Sequence, residues 1–115
     1  MKLRITSTST TLYLARTVSG VETVLTTQAI AGLTYAAGDT LNLRFQAQGA
    51  GGSTLKAKVW RQGSSEPATW QTTTTDGTAS LQSAGGVGVY SYLSGSATNA
   101  PITASIDNFK VEPLG

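Results

Sequence analysis

Apolar and polar residues alternate with a period of two along much of this chain, a rhythm that marks half-buried β-strands rather than helices. It is clearest over residues 40–60. Leu41, Leu43, Phe45 and Ala47 alternate there with Asn42, Arg44, Gln46 and Gln48. After G-A-G-G-S, Leu55, Ala57 and Val59 alternate with Lys56, Lys58 and Trp60. The glycine-rich connection suits a hairpin. Two arms are not stable alone, so the rest of the chain is expected to cover their apolar face.

Shorter stretches repeat the pattern. Over residues 2–7, Leu3 and Ile5 alternate with Lys2, Arg4 and Thr6, and over 11–18 Leu12 and Leu14 face away from Tyr13 and Ala15. Ser19-Gly20 reads as a two-residue turn, with glycine supplying positive φ. It leads into residues 21–29, where Val21, Thr23, Leu25 and Thr27 are expected to share a face. Residues 31–39 form a connection. Beyond Trp60 the run R-Q-G-S-S-E-P-A-T-W-Q interrupts the rhythm, and Pro67 forces its predecessor out of the helical region. A threonine-rich strand is predicted over 70–75, closed by Asp76-Gly77 as a hairpin turn.

Two further strands are predicted over 87–93 and 102–111. In the last, apolar residues move from even positions (Ile102, Ala104, Ile106) to odd ones (Phe109, Val111), which predicts a β-bulge at Asp107-Asn108. About eight strands with short turns and no helical pattern read as an antiparallel two-sheet β-sandwich or a barrel. Its inner sides are expected to hold Leu43, Phe45, Val59 and Ile106.

Composition agrees with an all-β chain. Threonine (19), serine (12) and glycine (13) are abundant, whereas charged residues make up only 12% of the 115 positions. Threonine suits a pleated, half-exposed surface because β-branching is tolerated there. The length predicts a single module over residues 1–115. The net charge of +2 is spread along the chain, with no Lys/Arg run of the kind that grips nucleic acid. No run approaches the ~18 apolar residues of a membrane span, and M-K-L-R-I-T has no apolar stretch of signal-peptide type. The chain has no cysteine, hence no disulfide or thiolate chemistry, and no histidine, the commonest metal ligand and neutral-pH acid–base group.

The candidate chemistry is correspondingly thin. Glycoside hydrolysis needs two carboxylates held ~5–9 Å apart, and no strand here carries acids at i and i+2. The six acids read as surface or turn groups, and a serine triad lacks its histidine. The chain is therefore expected not to be an enzyme. Gly85-Gly86-Val87-Gly88 is not followed by a helix that would bind phosphate. Asp107 and Asn108 offer oxygen ligands to a structural Ca²⁺, the one cofactor the sequence leaves open, although two neighbouring oxygens are not by themselves a site and a bulge explains the pair. Sugars stack their C–H faces on Trp and Tyr while polar neighbours take the hydroxyls. Trp60 shares a strand face with Lys56 and Lys58, and Tyr90 with Tyr92 sit at strand spacing. These five residues are the candidate ligand-binding set. The alternative is that the rings are core, or are covered by a loop.

Over residues 31–111, A-G-L-T-Y-A-A-G-D-T-L, L-K-A-K-V-W-R-Q-G-S-S-E-P-A-T-W-Q, G-V-G-V-Y-S-Y-L-S-G-S-A-T-N-A-P-I and I-D-N-F-K-V occur in order. Together they resemble a laminin-G/concanavalin A-like sandwich module of secreted actinobacterial proteins and of minor tail proteins of actinobacteriophages. The resemblance implies a jelly-roll sandwich, no catalysis, and an extracellular or virion setting. In that family comparable strands precede the region that begins here at Lys2, so the resemblance implies either an excised C-terminal part or a shortened version of the sandwich. Missing strands would expose edges, inviting a second copy or a partner chain to complete the layers. The leading expectation is a recognition module for glycan or cell-envelope material. Its alternative is a structural or oligomerisation module without a ligand. A truncated glucanase-like enzyme stands third, for want of an acid pair.

Overall fold

Six strands build two separate antiparallel meanders in the computed structural model, which describes residues 1–114. The first sheet runs β1 (Lys2–Ile5), β2 (Thr10–Val18), β3 (Val21–Ala29), in that order across the sheet. The second runs β4 (Leu41–Gln48), β5 (Ser53–Arg61), β6 (Thr72–Asp76). The only other regular element among the described residues is a single 3₁₀ turn at Ala79–Leu81, so the chain is all-β, and no helix is long and apolar enough to cross a membrane. The chain divides into two units, Met1–Ser83 and Ala84–Gly115. Both sheets belong to the first.

Each hairpin has a local cause. Ser19 and Gly20 both carry positive φ (50° and 80°), the type I′ geometry whose twist matches the flanking strands. Between β4 and β5, Gly49 lies at φ 119°, and a Cβ there would meet the Gly52 carbonyl oxygen at 2.3 Å. Only glycine closes that turn.

In the β2–β3 ladder Leu14 pairs with Thr26 but Ala15 pairs with Val24, so Leu25 is the extra residue of a β-bulge. The bulge turns the strand over. Thr27 therefore faces the opposite side from Val21 and Thr23, not the same side as the simple alternation predicts.

The core is small and shared by the two sheets. Leu12 and Leu14 of β2 meet Ala57 and Val59 of β5, all four buried, with Leu3, Ile30, Leu33, Leu41 and Leu55 packed around them. This arrangement is compatible with a sandwich. Of the four residues expected inside, only Val59 is buried. Leu43 and Phe45 sit opposite Val59 and Ala57 in the ladder and so share their face, yet they remain 46% and 44% exposed. β4 is an edge strand, and the first sheet lies over β5 and β6 instead. Ile106, in the second unit, is also exposed.

The inner face of β6 is polar. Thr72, Thr74 and Asp76 pair with Ala57, Leu55 and Ser53, and so share their face. Arg16 extends the inward series of Leu12 and Leu14, and its Nη1 donates to Asp76 Oδ1 at 2.8 Å and to Thr78 Oγ1 at 2.6 Å. Asp76 therefore ends a strand rather than starting the predicted hairpin. After Gly77 the chain enters the 3₁₀ turn, and the Gln82 amide donates to the Asp76 and Thr78 carbonyls at 3.1 and 3.0 Å.

Residues 84–114 contain no regular strand, so the strands predicted over 87–93 and 102–111 are absent. Alternation specifies faces, but a strand exists only through a ladder with a neighbour. At the predicted bulge the backbone makes a local turn: Asn108 adopts φ 54° and its N–H donates to Asp107 Oδ1 at 2.8 Å. Another turn is closed by the Ala97 N–H on the Ser94 carbonyl at 3.0 Å.

Candidate functional site

β5 projects Lys56, Lys58 and Trp60 from one face, as the alternation requires. The loop between β5 and β6 folds back over that face and uses it. Lys58 is only 7% exposed; its Nζ donates to the Pro67 carbonyl at 2.8 Å and pairs with Glu66 Oε1 at 2.7 Å. The Trp70 ring lies 5.0 Å from the same ammonium, a cation–π contact. Arg44, directly opposite Lys58 in the ladder, reaches Glu66 from the other side at 3.0 Å. The hydrogen bond from Lys58, with the charges of Arg44 and Lys58, holds the Glu66 carboxyl below its ordinary range. A buried ammonium needs such partners, and here it has them. Lys58 thus has its ammonium committed within the fold; Lys56 is half-buried.

Where that loop rejoins the sheet, Gln71 takes the place of a further β6 rung. Its backbone N–H donates to the Ala57 carbonyl at 3.2 Å, and its side-chain Oε1 accepts from the Val59 N–H at 2.7 Å. The backbone donor of β5 is thus satisfied by a side chain. Beside it runs a shallow open groove of about 240 Å³ lined by Ile30, Leu33, Trp60, Arg61, Pro67 and Gln71. A second open depression of about 320 Å³ shares Ile30, Ala31 and Gln71 with it. Trp60 is half-buried at this groove.

Arg61, on the groove wall, is committed to the β3–β4 connection: it donates to Asp39 Oδ2 at 2.5 Å and to the Thr34 carbonyl. Asp39 also accepts from the Ala36 N–H at 2.9 Å, and that bond with the Arg61 guanidinium holds its carboxyl low. The groove therefore offers a ring, aliphatic side chains and an amide, with its one cation already paired.

Tyr90 and Tyr92 lie in the second unit, 82% and 83% exposed. The carboxylates are dispersed: Glu22 pairs with Lys2, Asp39 with Arg61, Glu66 with Lys58 and Arg44, Asp76 with Arg16, and Glu112 with Lys110. Asp107 and Asn108 stand in their own turn. Among the described residues no group of three or more His, Cys, Asp or Glu side chains is placed to hold a metal ion.

Sequence reasoning missed Glu66, Trp70 and Gln71 as partners of β5. It read the 61–71 run as a breaker and Glu66 only as a residue before proline. The usable signal was Lys58 itself, a strand cation with one acid, Glu66, in the segment that follows. Comparison of the chain with known protein families, curated proteins and solved structures returned no match. The class that fold and site define is an all-β module with an open, largely uncharged groove and a separately exposed tyrosine pair.

Proposed function

We propose that this chain is a non-catalytic recognition module for glycan or bacterial cell-envelope material, carried by a phage tail as part of a minor tail protein or by a secreted surface protein. The observation that carries the reading is the pair Tyr90 and Tyr92, each more than four-fifths exposed and two residues apart. Exposed tyrosine rings are poor choices for solubility and good platforms for the C–H faces of sugars. Trp60 at its groove, with the Gln71 amide alongside, supplies a second, shallower aromatic surface. The resemblance to laminin-G/concanavalin A-like modules supports the non-catalytic character and the virion or secreted setting.

Binding is tested by titrating the protein with arabinogalactan- and mycolate-type envelope fragments while following Tyr and Trp resonances. Tyr90→Ala or Tyr92→Ala weakening binding at unchanged circular dichroism supports the tyrosine platform. Trp60→Ala reports on the groove. Absence of binding to every polysaccharide overturns the reading.

A second reading is a structural or oligomerisation module of a virion or surface assembly. It is favoured by Leu43 and Phe45, apolar side chains left half-exposed on an edge strand.

A further inference from the structure

We propose that β4 is a self-pairing edge, so that two copies of this chain join β4 to β4 about a two-fold axis at Phe45 and form one continuous six-stranded sheet. This gives the structural reading a specific partner and surface, and it is independent of any glycan bound at Tyr90 and Tyr92.

The four sheet edges of the first unit differ in how well they resist such pairing. β1 is four residues long and carries Lys2 and Arg4. β3 is interrupted by its bulge at Leu25. β6 has five residues. β4 has eight residues in unbroken register with β5, no proline, and an apolar face half open to water. Its single charge, Arg44, lies on the opposite face from Leu43 and Phe45 and is paired with Glu66 at 3.0 Å, so β4 is the one long edge in unbroken register whose apolar face carries no charge.

The backbone is set for the pairing. The Gln62 N–H donates to the Thr40 carbonyl at 2.9 Å, and residues 40 and 62 oppose one another by continuation of the ladder. Even-numbered residues of β4 therefore bond to β5, and Leu41, Leu43, Phe45 and Ala47 direct their N–H and C=O groups to the open edge.

Side-chain order selects the register. With Phe45 on the axis, Leu43 opposes the partner's Ala47, Arg44 opposes the partner's Gln46 and Asn42 opposes the partner's Gln48. Apolar residues then meet apolar ones on one face, polar meet polar on the other, and no like charges are opposed. Centring on Arg44 would set two guanidiniums against each other. Centring on Leu43 would pair only the first half of the strand. The interface is isologous, so it closes at two copies.

Sedimentation velocity of the full chain from micromolar to near-millimolar concentration is expected to show a monomer–dimer equilibrium. Phe45→Lys puts two ammoniums at the axis and is expected to raise the dissociation constant at least ~tenfold at unchanged circular dichroism. Because the chain has no cysteine, Phe45→Cys gives a second readout that does not depend on that variant's folding. Mild oxidation is expected to cross-link it into dimers, whereas Asn42→Cys, far from the axis, stays monomeric. A wild-type chain that is monomeric throughout overturns the proposal. So does a dimer that folded Phe45→Lys leaves intact, or cross-linking at position 42 in preference to 45.

Discussion

Arg16 reaches from the middle strand of one sheet to Asp76 on the edge strand of the other, Nη1 to Oδ1 at 2.8 Å, and Thr78 bonds to both. The contact follows from strand parity. Arg16 is the next inward position after Leu12 and Leu14, and Asp76 the next after Thr72 and Thr74, so the face that holds the core also brings the charges together. The hydrogen bond from Arg16, then that from Thr78, holds the Asp76 carboxyl below its ordinary value of 3.8.

A carboxyl held low when folded contributes stability that is complete above its unfolded value and is lost as pH falls through the folded one. Asp39 and Glu66 are shifted in the same direction, each by its own cation and hydrogen bonds. Melting temperature is therefore expected to be flat near neutrality and to fall below about pH 4. Asp76→Asn should melt lower at pH 7 and lose less on acidification than wild type. Equal acid slopes in thermal melts of the two would remove Asp76 from the account.

Core and edge should separate sharply under truncation. Leu12→Ala, at a fully buried site, is expected to lose about 2–5 kcal/mol in urea unfolding. Phe45→Ala, although the larger deletion, is expected to lose no more than about 1 kcal/mol at monomeric concentrations. The opposite ranking would place the core under β4 instead of β5.

Thr10 is 1% exposed, and its hydroxyl has no hydrogen-bond partner. Valine has the same shape without the unmet donor. Thr10→Val is expected to stabilise the protein by about 1 kcal/mol, read as a higher urea midpoint at unchanged slope.

Removing Glu66 leaves the Lys58 ammonium with a carbonyl and a ring but no counter-charge. Glu66→Ala is expected to lower the melting temperature, and adding Lys58→Met to restore most of the loss. If the second substitution deepens the loss instead, the pair is not the coupled unit that its 2.7 Å separation indicates.

The strands of both sheets were legible in the sequence because a period of two needs no neighbours to be seen: β3 falls on residues 21–29 as read, and Leu12 and Leu14 are buried as their shared face suggested. What alternation cannot convey is whether anything lies over a face. Leu43, Phe45 and Ile106 have the right rhythm and remain exposed, for want of a covering layer. The same gap explains residues 87–93 and 102–111, where the pattern is present and no ladder forms. Asp76-Gly77 misled for a different reason: the dipeptide favours a tight turn locally, but Arg16, sixty residues earlier, claims the carboxylate. Of the ligand-binding set, Tyr90 and Tyr92 stand exposed, while Lys58 is taken up by a loop whose return path the sequence did not disclose.

The glutamine that substitutes its amide for a backbone rung has an architectural effect larger than its single bond. By stopping β6 at Thr72 it diverts the preceding residues across the sheet rather than along it, and that detour carries Glu66, Pro67 and Trp70 onto Lys58. The hollow beside Trp60 is bounded by that detour at Ser64, Pro67 and Gln71 and by the stretch from Ile30 to Leu33, so one side-chain rung helps to shape a wall of it.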